Sequence, residues 1–400
     1  MSLFQLASDP PTKLGIYRVL SSRAGVRVSP LVLGAGNVGD KWEAHGFGWM
    51  SKESSFKLLD AYFDMGGNFI DTANNYQDET SEEFIGEWAE KRGIRDQLVI
   101  ATKARLGLFI PSMRQGLTPS SQYTTNFKRG NDAIAQKVNY VGNNTKSMHI
   151  SMEASLKKLR TSYIDILYVH WWDYETSIPE VMDSLHNLVV AQKVLYLGVS
   201  DTPAWVVSQA NQYAVDHGKT PFVVYQGKWS ILDRSFEREI IPMARSLGMA
   251  LSPFGVLGQG KLRTDAEEER RKETGEKGRS SWGQSWERTE VEVKVCKALE
   301  KVAAEVGVGS NITAVAIAYV MHKTPYVFPI IGGRKVENLE ANLKALDILL
   351  SKEQIEYLES TIPFDPGFPT TMIGDGSSYT ILLASAAKMA KQPGLQPITP

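Results

Sequence analysis

Eight short runs of β-branched and apolar residues recur along the chain: SPLVLGAG, GNFIDTA, QLVIATK, IDILYVH, VLYLGVS, PFVVYQG, MALSPF and YVFPIIGG. Between them lie stretches with helical spacing, such as SKESSFKLLDAYFDM, SEEFIGEWAEKRG and PAWVVSQANQYAVDHG. The alternation admits few folds, because a strand that returns to its sheet through a helix lies parallel to the strand before it. Eight such units predict a closed (β/α)8 TIM barrel over about residues 29–348, with an open doubly wound sheet as the alternative. Ahead of the first strand, GIYRVLSSRAGVRVS reads as a hairpin that could plug the barrel's N-terminal mouth. Two long insertions, about 105–145 and 258–288, leave C-terminal strand ends, where such loops shape pockets or stay solvated. The turn-rich tail from 363 to 400 is expected to fold back over the mouth or to be mobile, and residues 1–400 read as one domain.

Composition narrows the partner. Forty-four basic against 45 acidic residues give a net charge of −1, so no global field draws nucleic acid or an anionic membrane. A small molecule is the expected partner. A single cysteine, Cys296, excludes an internal disulfide framework and a thiolate metal cluster; it reads as a helix-buried thiol in a reducing compartment. MSLFQLASDPPTK shows neither a basic leader nor a long apolar stretch, and a cytoplasmic location is the expectation.

LVLGAGNVGD spells G-x-G-x-x-G with Gly34, Gly36 and Gly39. A dinucleotide fingerprint needs a helix directly after these glycines, whose N-terminus receives the pyrophosphate, and an acid about 20 residues on. Here DKWEAHGFGWMSKES follows, with two more glycines and no apolar periodicity before Phe56. The match is accidental as a Rossmann signal, and any nucleotide is held by other residues.

In a barrel of this kind, polar residues at the C-terminal strand ends face the active site. The rule selects Asp71 on the second strand, Tyr76 just after it, Lys103 on the third and His170 on the fourth. Each has a structural alternative: a turn cap, a packing aromatic, a solvated lysine, a satisfied histidine. Together they supply what carbonyl reduction needs. Hydride delivered to a carbonyl carbon leaves an alkoxide, which requires a donor that stabilises the charge and gives up a proton. A tyrosine hydroxyl near an ammonium is a better acid than one alone, and a carboxylate fixes the ammonium. A neutral imidazole N–H can complete the donor pair.

With Lys103 and His170 on the next two strands, DTANNY at 71–76 resembles the catalytic tetrad of the aldo-keto reductases. LYVHWWDYETSIPEVMDSL, KVLYLGVSDTPAWVVSQAN, YQGKWSILDRSFEREIIPMAR and IPFDPGFPT resemble the fungal aryl-alcohol dehydrogenase branch, which includes norsolorinic acid reductase-like proteins of secondary metabolism. The resemblance implies a TIM barrel that uses NADP (NADPH) without a Rossmann unit. It further implies reversible reduction of aryl or alkyl aldehydes or ketones to alcohols, with Tyr76 as proton donor. Gly36, Asn37 and Val38 would then touch the nicotinamide ribose, and Ser200, Asp201 and Gln226 the carboxamide. Leu251, Ser252, Phe254 and Lys261 would line the ring and pyrophosphate, and Gly332, Arg334, Asn338 and Asn342 the adenosine end. Arg334 is either a 2′-phosphate clamp, suited by its planar fork, or a solvated turn residue. Trp171, Trp172 and Trp229 are either an aromatic substrate wall or core.

The sequence departs from the family pattern at Asp201, where Asn is common; at Leu251, where an aromatic is common; and at Gln77, where Gly is usual. Two other readings stay open. One is a catalytically weak nucleotide-binding regulatory subunit of the same fold. The other is a hydrolase metal site built on His170 and Asp173, although no metal-ligand spacing of the H-x-x-x-H kind accompanies them.

Overall fold

The computed structural model describes residues 6–43, 48–104, 128, 131, 133–276 and 285–400. Most of the first insertion and residues 277–284 lie outside the described residues. A hairpin, β1 (Arg18–Ser21) and β2 (Ala24–Val28), precedes eight strands: β3 (Val32–Gly34), β4 (Phe69–Asp71), β5 (Val99–Ala104), β6 (Ile164–Val169), β7 (Val194–Ser200), β8 (Phe222–Lys228), β9 (Ala250–Phe254) and β10 (Ile330–Ile331). These eight form one parallel sheet in the order β10-β3-β4-β5-β6-β7-β8-β9. A parallel bridge from Leu251 to Val327, with Leu251 N–H donating to Tyr326 O and Phe328 N–H to Leu251 O, joins its two edges. The expected (β/α)8 barrel is present. Its last strand is shorter than YVFPIIGG suggests, because Pro329 brings no N–H to the ladder.

Helices pack outside: α1 (Lys52–Asp64), α2 (Thr80–Arg92), α3 (Thr145–Lys158), α4 (Ile178–Val190), α5 (Ala204–Asp216), α6 (Phe236–Leu247), α7 (Asp265–Thr274), α8 (Glu290–Glu305), α9 (Ile312–Lys323), α10 (Val336–Leu343) and α11 (Lys352–Ser360). Their limits follow local chemistry. Side chains of Ser51, Asn144, Ser177 and Thr264 cap first turns, Thr289 and Ser351 form capping boxes with Glu292 and Gln354, and Gly93 and Gly248 end α2 and α6 in the left-handed conformation. The charged stretch after β9, which composition alone assigns to a solvated loop, contains α7 because Thr264 caps it.

Strand alternation divides the core into two layers. Leu33, Ile70, Ile100, Leu167, Leu197, Leu251 and Ile331 face the helices. Val32, Phe69, Val99, Ala101, Ile166, Tyr168, Val224, Ala250 and Phe328 fill the interior, together with Leu20, Ala24 and Val28 from the hairpin, which therefore plugs the N-terminal mouth as expected. The tail does not end over the catalytic mouth. Phe364 packs under Arg234 and Arg238 beside the start of α6, but Leu395, Gln396 and Ile398 line a cavity of about 110 Å³ with Arg18 and Val19 of the hairpin. The last residues thus lie at the end of the barrel opposite the catalytic strand ends.

The interior also explains Gly198 on β7. A Cβ there would stand 2.5 Å from the Tyr168 ring and 3.0 Å from Val224 Cγ1. Overpacking of this kind costs about 1–3 kcal/mol, so Gly198→Ala is expected to lower the urea midpoint accordingly. An unchanged midpoint would show that the Tyr168 ring moves aside freely.

Candidate active site

The four residues selected from strand ends converge. Asp71 ends β4, Lys103 lies on β5, His170 directly follows β6, and all three are buried; Tyr76, on the loop from β4 to α2, is half-buried. Lys103 Nζ donates to Asp71 Oδ1 at 2.6 Å, to Thr72 O at 2.7 Å and to the Tyr76 hydroxyl at 3.4 Å. The Tyr76 ring meets His170 edge-on at 6.3 Å and Trp42 at 6.0 Å. Burial by itself lowers the pKa of Lys103, but Asp71 and Tyr76 outweigh it and the net direction is up, so the ammonium stays charged. Asp71's other oxygen accepts from Gln226 Nε2 at 2.8 Å.

A strained loop carries Tyr76. Gln77, Asp78 and Glu79 have φ of 53°, 49° and 85°, a left-handed run without glycine. Conformations of this kind cost about 1–3 kcal/mol per residue and persist where the surroundings enforce them. Gln77 provides much of that enforcement: its Oε1 accepts from Lys41 N–H and Trp42 N–H, and its Nε2 donates to Gly36 O and Gly48 O. Asp78 accepts from Trp42 Nε1 at 3.1 Å. Where the family usually has glycine, Gln77 keeps the backbone conformation and adds a four-bond brace between the Tyr76 loop and the loop after β3.

Other expected site residues fall around the same mouth. Gly36 follows β3, and a Cβ there would meet nothing nearer than Tyr76 Cε2 at 4.0 Å. Asn37 is next to it, whereas the Val38 side chain is buried in the helix layer, so only its backbone is available. Ser200 ends β7 and donates to Asp201 Oδ2, which also accepts from Trp171 Nε1 at 3.2 Å. Asp201 is exposed, yet the protein around it desolvates the carboxyl and pushes its pKa up to about 6, against Ser200, Trp171 and Lys103. Ser252 and Phe254 sit on the inner face of β9, with Ser252 Oγ donating to Phe328 O at 3.1 Å. Lys261 follows a short turn after β9 and faces Glu292 at 3.5 Å. Gly332 and Asn342 line a shallow groove with Gly333, Lys335 and Leu339, and Arg334 and Asn338 stand exposed beside it.

Three expectations are corrected. Leu251 lies on the outer face of β9, out of phase with Ala250 and Ser252, and packs in the helix layer away from the site of a nicotinamide ring. Trp229 is fully buried, stacked on Phe236 at 5.5 Å and 12°, with Nε1 donating to Glu237; it is core and not substrate wall. Trp172 is core as well. Trp171 alone of the three is at the mouth, with its ring 4.8 Å from that of His170. Asp173 serves as a loop cap, accepting from the N–H groups of Asn143, Glu175 and Thr176, which accounts for its carboxylate without a metal.

The aldo/keto reductase family model matches residues 30–363. The chain belongs to the aldo/keto reductase family. Among its relatives, an aryl-alcohol dehydrogenase (NADP+) of Phanerodontia chrysosporium is 58% identical over the full length of both chains. The aldo-keto reductase ausK of Emericella nidulans is 51% identical over 98% of this chain and 93% of its own. Norsolorinic acid reductase B of Dothistroma septosporum is 49% identical over 94% of this chain and 88% of its own.

For a member of the aldo/keto reductase family the donor set can be checked against a dinucleotide. A Cβ at Gly332 would meet nothing within 4 Å, Gly36 leaves open space beside the Tyr76 ring, and Arg334 has no ion pair or hydrogen bond among the described residues. An exposed guanidinium with no ion pair or hydrogen bond among the described residues, beside Gly332 and Gly333 and two strands from the Tyr76 loop, suits a phosphate-bearing ligand. The residues present fit the cofactor.

Proposed function

We propose that the chain is an NADP(H)-dependent oxidoreductase that reversibly reduces aryl or alkyl aldehydes and ketones to alcohols, with Tyr76 as proton donor. NADPH supplies the hydride when bound. Asp71, Lys103 and Tyr76, joined by contacts of 2.6 Å and 3.4 Å, are the observation that carries the reading. Lys103 stabilises negative charge developing on the Tyr76 oxygen as its proton leaves, Asp71 holds Lys103, and His170 orients the substrate carbonyl beside Tyr76. Trp42, Trp171 and Phe254 give the mouth apolar walls that suit a planar aryl group. The relative named for aryl-alcohol and NADP+ supports the same substrate class and cofactor.

On this reading Gly36, Asn37, Ser200, Asp201, Gln226 and Ser252 hold the nicotinamide half, and Lys261, Gly332, Arg334, Asn338 and Asn342 the phosphates and adenosine. The test is titration with NADPH and NADH, then oxidation of NADPH with a panel of aryl aldehydes. Aldehyde-dependent oxidation supports the reductase; tight binding without turnover across the panel overturns it. Arg334→Ala is expected to weaken NADPH binding by about tenfold or more and NADH by about twofold at most, because a charge-assisted hydrogen bond contributes about 1.5–3 kcal/mol. Equal losses for both nucleotides would remove Arg334 from the 2′-phosphate.

A further inference from the structure

Both faces of β5 grip the loop that carries Tyr76. On the inner face is Lys103, bonded to Asp71 and Thr72 O. On the outer face the preceding residue, Thr102, donates from Oγ1 to Glu82 Oε1 at 2.5 Å, and both are fully buried. Glu82 lies in the first turn of α2, and its Oε2 is 2.8 Å from Lys158 Nζ at the end of α3. That ammonium reaches further, to Asn74 O at 2.7 Å and Glu79 Oε1 at 3.0 Å. Glu79 also accepts Lys128 Nζ on both oxygens at 2.7 Å.

The geometry is specific to the loop. Asn74 stands two residues before Tyr76 and Glu79 three after it, so one buried ammonium holds the strap on both sides of the tyrosine. Glu79 is also the last residue of the left-handed run, the point where the strained backbone passes into α2. Burial lowers the pKa of Lys158, but Glu82 and Glu79 outweigh it, and two ammonium groups face two carboxylates. A bridge serving only to join α2 to α3 would not need contacts with a loop carbonyl and a loop carboxylate.

We propose that Lys158, with Glu79 and Glu82, is a positioning network that fixes the Tyr76 hydroxyl against Lys103 and thereby sets the rate of proton transfer. The proposal rests on Tyr76 being the proton donor. None of the three residues reaches the reacting atoms; they act through the strap. Misplacing a catalytic group by about 1 Å can cost about 10²-fold in rate.

The test uses Glu79→Gln, Lys158→Met and the double variant Glu82→Gln/Lys158→Met, the last leaving no buried unpaired charge should Lys158→Met not fold. Expected are a fall in kcat of about tenfold or more, an NADPH Kd within about twofold of the parent, and a basic limb of kcat/KM moved to higher pH as hydroxyl and ammonium separate. Lys158→Arg should restore part of kcat. A folded variant with parental kcat and an unmoved basic limb overturns the proposal, as does a loss that appears wholly in Kd. A second readout is independent of turnover: in protein labelled with ¹³Cζ-tyrosine, the Tyr76 resonance, assigned by its absence in Tyr76→Phe, should shift in Glu79→Gln. An inactive parent with a shifted resonance would sink the reductase reading and keep the network. An active parent with an unshifted resonance would do the reverse.

Discussion

Tyr76→Phe is expected to lower the rate of carbonyl reduction by about 10²- to 10⁴-fold and to leave NADPH affinity within about twofold of the parent. The expectation follows from what the substitution removes and what it keeps. Phenylalanine retains the ring, so the edge contacts to Trp42 at 6.0 Å and His170 at 6.3 Å remain. Lys103 retains its bonds to Asp71 and Thr72 O. Only the hydroxyl at 3.4 Å from Lys103 is lost, and with it the proposed acid.

Steady-state kinetics and a fluorescence titration with NADPH separate the two quantities. A fall in kcat at constant Kd places Tyr76 in the chemical step. Turnover unchanged from the parent would remove Tyr76 as the donor and shift that role to another group at the mouth, such as His170. Loss of NADPH binding in parallel would mean that the variant disturbs the strap, whose brace at Gln77 is adjacent in sequence.

How far the sequence discloses this arrangement depends on the kind of signal each residue gives. Asp71, Lys103 and His170 are legible because β4, β5 and β6 are clean runs whose ends are easily located, and period-2 alternation then points alternate residues inward. The resemblance puts Leu251 at the ring, but on β9 Ser252 faces inward and its neighbour Leu251 therefore faces the helices. Trp229 comes one residue after β8, where the chain turns outward through Ser230 and Asp233, so proximity in sequence to a strand end does not bring the ring to the mouth. The left-handed run Gln77–Glu79 lacks the Gly or Asn that normally announces such backbone, and its stabilising partners come from Lys41, Trp42, Gly48 and Lys158. Lys158 looks like an ordinary basic residue in the last turn of α3, placed for the helix dipole. Only the tertiary packing of α2 against α3 buries it between two glutamates.

Lys103→Met is expected to lose turnover to a similar or greater extent and, unlike Tyr76→Phe, to lose stability. Methionine fits the length of the lysine stem but cannot donate to Asp71, Thr72 O or Tyr76, three contacts made by one fully buried ammonium. Asp71 would then keep a single charge-stabilising bond, from Gln226. Breaking one side of a buried ion pair costs about 3–5 kcal/mol, mostly from the uncompensated charge left behind. In the parent, the raised pKa of Lys103 means its stabilisation is fully present below the unfolded lysine value of about 10.4 and is lost only as pH rises through the folded one. The ammonium is therefore charged throughout the neutral range. Asp71→Asn/Lys103→Met tests the separation of roles: it should recover much of the denaturant midpoint, since no unpaired charge remains, yet regain no turnover. Recovered turnover in that double variant would show that Tyr76 needs neither partner, and the relay would lose its electrostatic basis.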